Sequence, residues 1–168
     1  MLLRKATPAD APLLRSWEDQ PHVAAAGIAD WPWDEMLGED PDWRRLLIAE
    51  TEGRPVGFVQ IIDPAREVSH YWGDCGEGLR AIDIWIGPAD ALARGYGTAM
   101  MHEALALCFA DPEVRAVVID PRPDNHAARR FYERLGFRFI DHRRLGPADD
   151  PSEAAVFQLT RADWRKDT

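Results

Sequence analysis

Cysteine is scarce. Cys75 and Cys108 are the only two in 168 residues, too few for the disulfide framework of a small secreted domain. Long apolar runs are missing as well: the longest, AMMHEALALCF at 99–109, is interrupted by His102 and Glu103 and falls far short of the roughly 20 residues that a membrane span needs. The opening MLLRKATPADAP has neither the apolar stretch nor the small-residue cleavage site of a secretory signal. Cytoplasmic residence without a membrane partner is expected. Positive charge is in deficit, with 20 Lys plus Arg against 29 Asp plus Glu and a formal charge of -9. Such acidity repels nucleic acid and anionic lipid and favours a cationic ligand, although it serves solubility equally well. The histidines, His22, His70, His102, His126 and His142, show no HExxH or Cys/His zinc spacing, so no metal is assigned. GxSxG and GxxxxGK[ST] are absent too, which leaves serine-hydrolase and P-loop chemistry unsupported.

What remains is rich in apolar residues, 46% of the chain with seven tryptophans, enough for one core, and the length suits a single domain over 1–168. MLLRK reads as a strand, and Thr7-Pro8-Ala9-Asp10 as a helix start with a cap, a proline at the first helical position and an acid at the positive end. Leu13, Leu14 and Trp17 then make one helical stripe. Residues 20–43, with three prolines and three tryptophans, read as a partly helical, loop-rich lid. RRLLIAE and PVGFVQIID form a hairpin about Glu52-Gly53-Arg54. Beyond a loop at 63–79, LRAIDIWIG is a strand, RGYGTAMMHEALALCFAD a helix, RAVVID a strand and NHAARRFYERLG a helix. FRFIDHRR and AAVFQLT close the chain as strands, with GPADDP at 146–151 as the loop between them. Alternating strands and helices predict an α/β fold.

Between the strand LRAIDIWIG and its helix lies LARGYGT. Helix onset near Gly97 leaves backbone N–H groups without partners, and Gly95 and Gly97 let a ligand approach the chain closely. The helix dipole and Arg94 add positive potential, so the loop suits a pyrophosphate. An ordinary strand-to-helix turn explains it as well. In the later helix, Asn125 and Tyr132 stand seven residues apart, almost two turns, and point the same way. Asn125 can cap the helix, and Tyr132 offers either a proton-donating hydroxyl or a core aromatic ring.

IDIWIGPADALARGYGTAMMHEAL and DPRPDNHAARRFYERLGF together resemble the GNAT superfamily of acyl-CoA-dependent N-acetyltransferases, over most of the chain. Within it, GLRAIDIWIG, FADPEVRAVVIDPRPDN and RRFYERLGF are similar to aminoglycoside 6'-N-acetyltransferases. The resemblance implies a mixed, mostly antiparallel sheet splayed at the acyl-CoA site with helices on both faces, and acetyl-CoA as cosubstrate. It places CoA on Ile84, Trp85, Ile86, Arg94, Gly95, Tyr96, Gly97, Thr98 and Asn125. It also assigns the acceptor amine to Asp83 and the CoA sulfur to Tyr132. Where the family's loop commonly begins with Gln or Arg, three residues before the first glycine, this chain has Leu92, which leaves the grip to backbone N–H groups.

Strand alternation sets Ala81, Asp83 and Trp85 on one face and Ile82, Ile84 and Ile86 on a core-facing side. An aspartate among such neighbours needs a partner: an internal arginine such as Arg80 or Arg122, or a substrate ammonium whose proton it takes as the amine attacks the thioester. A backbone N–H at 84–86 would meet the oxyanion and Tyr132 would protonate the thiolate. Asp120, which resembles an aminoglycoside-contacting aspartate of the family, Asp74 and Glu77 are candidates to hold a polycation, each being open also to a reading as a solvated charge. Trp31, Trp33 and Trp72 either wall sugar rings or pack the core. The expectation is therefore acetylation of an aminoglycoside 6'-amine by direct transfer. Two alternatives stand beside it: another acceptor, such as a siderophore hydroxylamine precursor or a protein amine, and a non-catalytic acyl-CoA sensor. The tryptophan-rich segment at 31–43 could cover a second copy as readily as a substrate, leaving monomer and homodimer both open.

Overall fold

Thr7 ends the first strand because its backbone N–H is drawn to Asp10 Oδ2 at 2.8 Å, closing a capping box over a 3-10 turn at Pro8–Asp10. Such local signals set most boundaries in the computed structural model, in which residues 1–147 and 149–164 are described. The chain divides into two compact units, one formed by Met1–Ile61 with Asp83–Leu105, the other by Ile62–Ile82 with the chain from Ala106 onward.

In the first unit, β1 (Leu2–Lys5) pairs antiparallel with β2 (Arg44–Thr51), and a turn at Glu52 and Gly53, both with positive φ, leads into β3 (Arg54–Ile62). Helices α1 (Ala11–Glu18), α2 (Pro21–Ala24) and α3 (Trp33–Gly38) lie between β1 and β2, as the capping and proline signals predict. Leu14 and Trp17 of the α1 stripe join Val23, Trp33, Ile48, Phe58 and Trp85 in one buried cluster, with Leu13 partly buried against it. Arg4 ties this corner together, donating to Glu50 at 2.6 Å and to Asp10 at 2.7 Å.

β4 (Leu79–Ile86) runs through both units, and after a 3-10 turn at Ala89–Ala91 the chain enters α4 (Tyr96–Phe109). In the second unit, β5 (Ala116–Ile119) pairs in parallel with Leu79, Arg80 and Ala81 of β4. Helix α5 (His126–Arg134) leads to β6 (Arg138–Leu145) and β7 (Ser152–Thr160), and a short α6 (Arg161–Trp164) follows. β7 is antiparallel to both β5 and β6. Of the expected 146–151 loop, Ala148 lies outside the described residues. Trp72, Ala81, Val118, Leu145, Ala154 and Val156 form one buried cluster of this unit. In sheet order the strands run β1-β2-β3-β4-β5-β7-β6, a mixed, mostly antiparallel α/β arrangement as the alternation implied. Among the described residues no helix is long and apolar enough to cross a membrane.

Candidate active site

On the neighbouring strands β3 and β4, Phe58 stands beside Trp85, ring centroids 4.5 Å apart, and Gln60 stands beside Asp83, with Nε2 donating to Oδ2 at 2.8 Å. Two residues forward on one strand match two back on the other, so the four side chains share a face of an antiparallel ribbon. Trp31 and Trp33 extend that face, stacked on each other at 5.3 Å, and Trp31 meets Trp85 edge-on at 5.3 Å. Asp83 is thus a carboxyl at the border of an aromatic wall. The residue keeps intermediate exposure, so it is reachable, while the protein packed around it raises its pKa; the Gln60 N–H pulls the other way.

Several expectations are corrected here. The internal arginines are engaged elsewhere: Arg80 bridges Asp63 at 3.2 Å and Asp111 at 3.1 Å, and Arg122 pairs with Asp124 at 2.9 Å. The isoleucine side of β4 is buried at Ile82, 3% exposed, while Ile84 and Ile86 are only partly buried; the opposite side is packed too, since Trp85 joins the aromatic cluster. Ring contacts with Phe58, Trp31 and Trp33 hold Trp85 on that side. Trp33 has no exposed surface, and Trp72 is packed with Val118 and Leu145, so core packing accounts for both; only Trp31 of the three retains partial exposure.

Gln60 was missed in the sequence. Its signal was there: one amide inside the otherwise apolar run PVGFVQII, in a strand buried at six consecutive positions. A buried polar side chain without a local turn to serve calls for a partner.

The glycine loop has the conformation its residues predict. Ala93 and Gly95 both adopt positive φ, +58° and +79°, and α4 starts at Tyr96. Ala99 N–H to the Gly95 carbonyl at 3.1 Å is the first backbone bond joining loop to helix. Among the described residues, the amides of 94–98 ahead of it have no backbone acceptor, and Arg94, Gly95 and Thr98 are exposed beside them, with Tyr96 and Gly97 partly so. Free amides at the positive end of a 14-residue helix are a fit for a pyrophosphate. Leu92, 41% exposed, stands where a longer polar side chain was expected and adds none.

In the second unit, Asn125 caps α5, its Oδ1 accepting from Ala128 N–H at 3.1 Å. Tyr132 is buried in the last turn of α5, its ring edge-on to Phe137 at 5.9 Å. Asp120, just after β5, accepts from the Tyr71 hydroxyl at 2.7 Å. Asp74 and Glu77 are exposed and line a cavity of about 740 Å³ together with Asp63, His70, Cys75 and Glu113. The loop that carries them is ordered by Glu67. Burial alone would raise its carboxyl, but N–H donation from Tyr71 at 3.0 Å and Ser69 at 2.7 Å holds it below the usual range.

The Acetyltransferase (GNAT) domain family matches residues 6–145. This chain belongs to that family, and it is an N-acetyltransferase whose acetyl donor is acetyl-CoA. Aminoglycoside N(6')-acetyltransferase type 1 of Klebsiella pneumoniae is 33% identical over 171 residues, covering 94% of this chain and 81% of its own. Lysine N-acyltransferase MbtK of Mycobacterium tuberculosis is 30% identical over 145 residues, 82% of this chain and 69% of its own. Among solved structures, the aminoglycoside acetyltransferase AAC(6')-Ib in complex with coenzyme A and kanamycin superposes with a TM-score of 0.85 at 27% identity, over 98% of this chain and 96% of its own.

Proposed function

We propose that this enzyme acetylates a primary amine of a cationic small molecule, the 6'-amine of an aminoglycoside, by direct transfer within a ternary complex. The observation that carries the reading is Asp83: a partly exposed residue whose carboxyl pKa is raised by burial, hydrogen-bonded to Gln60 and next but one to the aromatic Trp85 on the strand that leads to the glycine loop. The aminoglycoside N(6')-acetyltransferase of Klebsiella pneumoniae and the kanamycin-bound structure support the choice of acceptor.

An alkylammonium has no lone pair to attack with. Asp83 holds the ammonium by charge and then accepts one of its protons, a transfer eased by the raised carboxyl pKa. Acetyl-CoA supplies the activated acyl group as a thioester. Nitrogen bonds to the acetyl carbon as the carbon–sulfur bond breaks; backbone N–H of residues 84–86 takes the charge that develops on oxygen, and Tyr132 returns a proton to the departing thiolate. The amides of 94–98 hold the diphosphate, with Arg94 adding charge and Asn125 a polar contact. Asp120, Asp74 and Glu77 receive the remaining positive groups of the acceptor, and partly exposed Trp31 is the ring available to pack on a sugar.

A second reading rests on the lysine N-acyltransferase relative: the same chemistry on the side-chain nitrogen of a lysine or hydroxylysine derivative. Purified protein supplied with acetyl-CoA and a panel of aminoglycosides, lysine-derived hydroxylamines and peptides, read by released thiol, separates the two. Turnover confined to aminoglycosides with a 6'-amine and abolished by Asp83→Asn is expected. Turnover of the lysine derivatives alone selects the second reading, and coenzyme binding without turnover of any amine defeats both.

A further inference from the structure

Gln60 is 6% exposed and only half satisfied. Its Nε2 donates to Asp83, but its Oε1 is buried with no hydrogen-bond partner, one of two such side-chain atoms among the described residues, the other being Trp85 Nε1 two residues from Asp83. A buried polar atom left unpaired costs about 1–3 kcal/mol, and a methionine would fill the same volume in this strand without that cost. Packing therefore does not explain the residue. The amide that grips Asp83 at one end leaves a buried, unpartnered oxygen at the other, on a residue that shares its ribbon face with the aromatic wall.

Building on the acetyl-transfer reading, we propose that Gln60 is both a positioning residue for Asp83 and a second acceptor for the substrate: Nε2 fixes the carboxylate, and Oε1 takes an N–H of the primary ammonium. A primary ammonium has three N–H donors, so Asp83 and Gln60 can each take one. When the proton on the first has passed to Asp83, the neutral amine keeps two N–H groups, and the one held by Oε1 prevents rotation about the carbon–nitrogen bond. The lone pair is then fixed in direction at the moment it is needed. No ion pair among the described residues involves Asp83; burial raises its carboxyl and the Gln60 N–H lowers it. Losing that N–H moves the carboxyl pKa further up.

Gln60→Met is the test, assayed for acceptor and acetyl-CoA kinetics across pH. Acceptor KM should rise about tenfold, the effect of losing one hydrogen bond to a charged group, with KM for acetyl-CoA unchanged and the acid limb of kcat/KM displaced to higher pH. Gln60→Glu, which retains an acceptor for the ammonium, should recover part of the acceptor KM while leaving the acid limb raised. A residue that merely packs would lower kcat and the thermal midpoint and move neither the limb nor the acceptor KM, and that result overturns the inference. If Gln60→Met does not fold, a crystal structure of the wild-type enzyme with coenzyme A and its acceptor decides: a donor within hydrogen-bond distance of Oε1 supports the assignment, and an Oε1 facing only carbon defeats it. Wild-type enzyme that turns over no amine sinks the acetyl-transfer reading together with this inference. Wild-type turnover with an unaltered Gln60→Met profile sinks only the inference.

Discussion

The indole of Trp17 occupies the place where a β-carbon on Gly87 would sit, its nearest ring carbon 2.1 Å from that point. Gly87 follows β4 directly and its N–H donates to the Val56 carbonyl at 3.1 Å, so the strand end is pinned from one side while α1 lays its tryptophan on the other. No rotamer change relieves a clash with two fused rings in a core cluster. Gly87→Ala is expected to lower stability by about 3 kcal/mol, the upper range for overpacking. Urea denaturation measures it, and a loss below about 0.5 kcal/mol would show that Trp17 can move aside.

The ion pair of Arg4 with Asp10 sets an acid limit on stability. Hydrogen bonds from Arg4, then from the Thr7 backbone, pull the Asp10 carboxyl below its ordinary value of 3.8, against the opposing effect of burial. A depressed folded-state pKa means the contribution is complete above the unfolded pKa and disappears as pH falls through the folded one. Asp10→Asn should therefore be less stable than wild type by about 1–3 kcal/mol above pH 5. The gap should narrow steadily below about pH 4. A gap that stays constant from pH 7 to pH 3 would assign the effect to the Thr7 turn instead of the charge.

The strands and long helices were legible because their signals are local. Thr7 to Asp10 carries a capping box, Glu52 and Gly53 the two positive-φ positions of a tight hairpin, and Asn125 a cap that the structure realises at 3.1 Å. The glycine loop was legible for the same reason, since its function is written in backbone conformation. What could not be read was that the Asp83 and Trp85 face of β4 is packed as well as the face of Ile82. Alternation separates Asp83 and Trp85 from the isoleucines, but the packing of Trp85 depends on Phe58, Trp31 and Trp33 arriving from other parts of the chain. Gln60 was hidden for a related reason. Its meaning lies in standing opposite Asp83, a pairing 23 residues distant in sequence.

Tyr71 should matter to the acceptor without touching the chemistry. Its hydroxyl holds the Asp120 carboxylate at 2.7 Å, and Glu67 holds the Tyr71 backbone in turn. Tyr71→Phe removes one donor and leaves the ring in place against Trp72. A carboxylate that loses one of its donors is held less firmly for a cation; the expected result is a rise of about fivefold in KM for a polycationic acceptor, the worth of one hydrogen bond of about 1 kcal/mol. KM for acetyl-CoA should stay level. Equal rises in both would mean that the loop has collapsed, and no rise would remove Asp120 from the acceptor site.

Gly95 separates two ways in which a bare loop can serve a diphosphate. Its φ of +79° disfavours any side chain, while a β-carbon there would meet nothing within 4 Å. Gly95→Ala therefore strains the turn without blocking it from within the protein, at about 1–2 kcal/mol for a left-handed alanine. Gly95→Asn keeps the turn nearly free of strain, since asparagine tolerates that region, but it puts a side chain in front of the amides. If the amides of 94–98 grip the diphosphate closely, both variants should weaken coenzyme A binding in calorimetry, asparagine at least as much as alanine, by about tenfold for 1.4 kcal/mol. Weakening by alanine alone would place the requirement in the turn. Wild-type affinity in both variants would show that the loop does not carry the coenzyme.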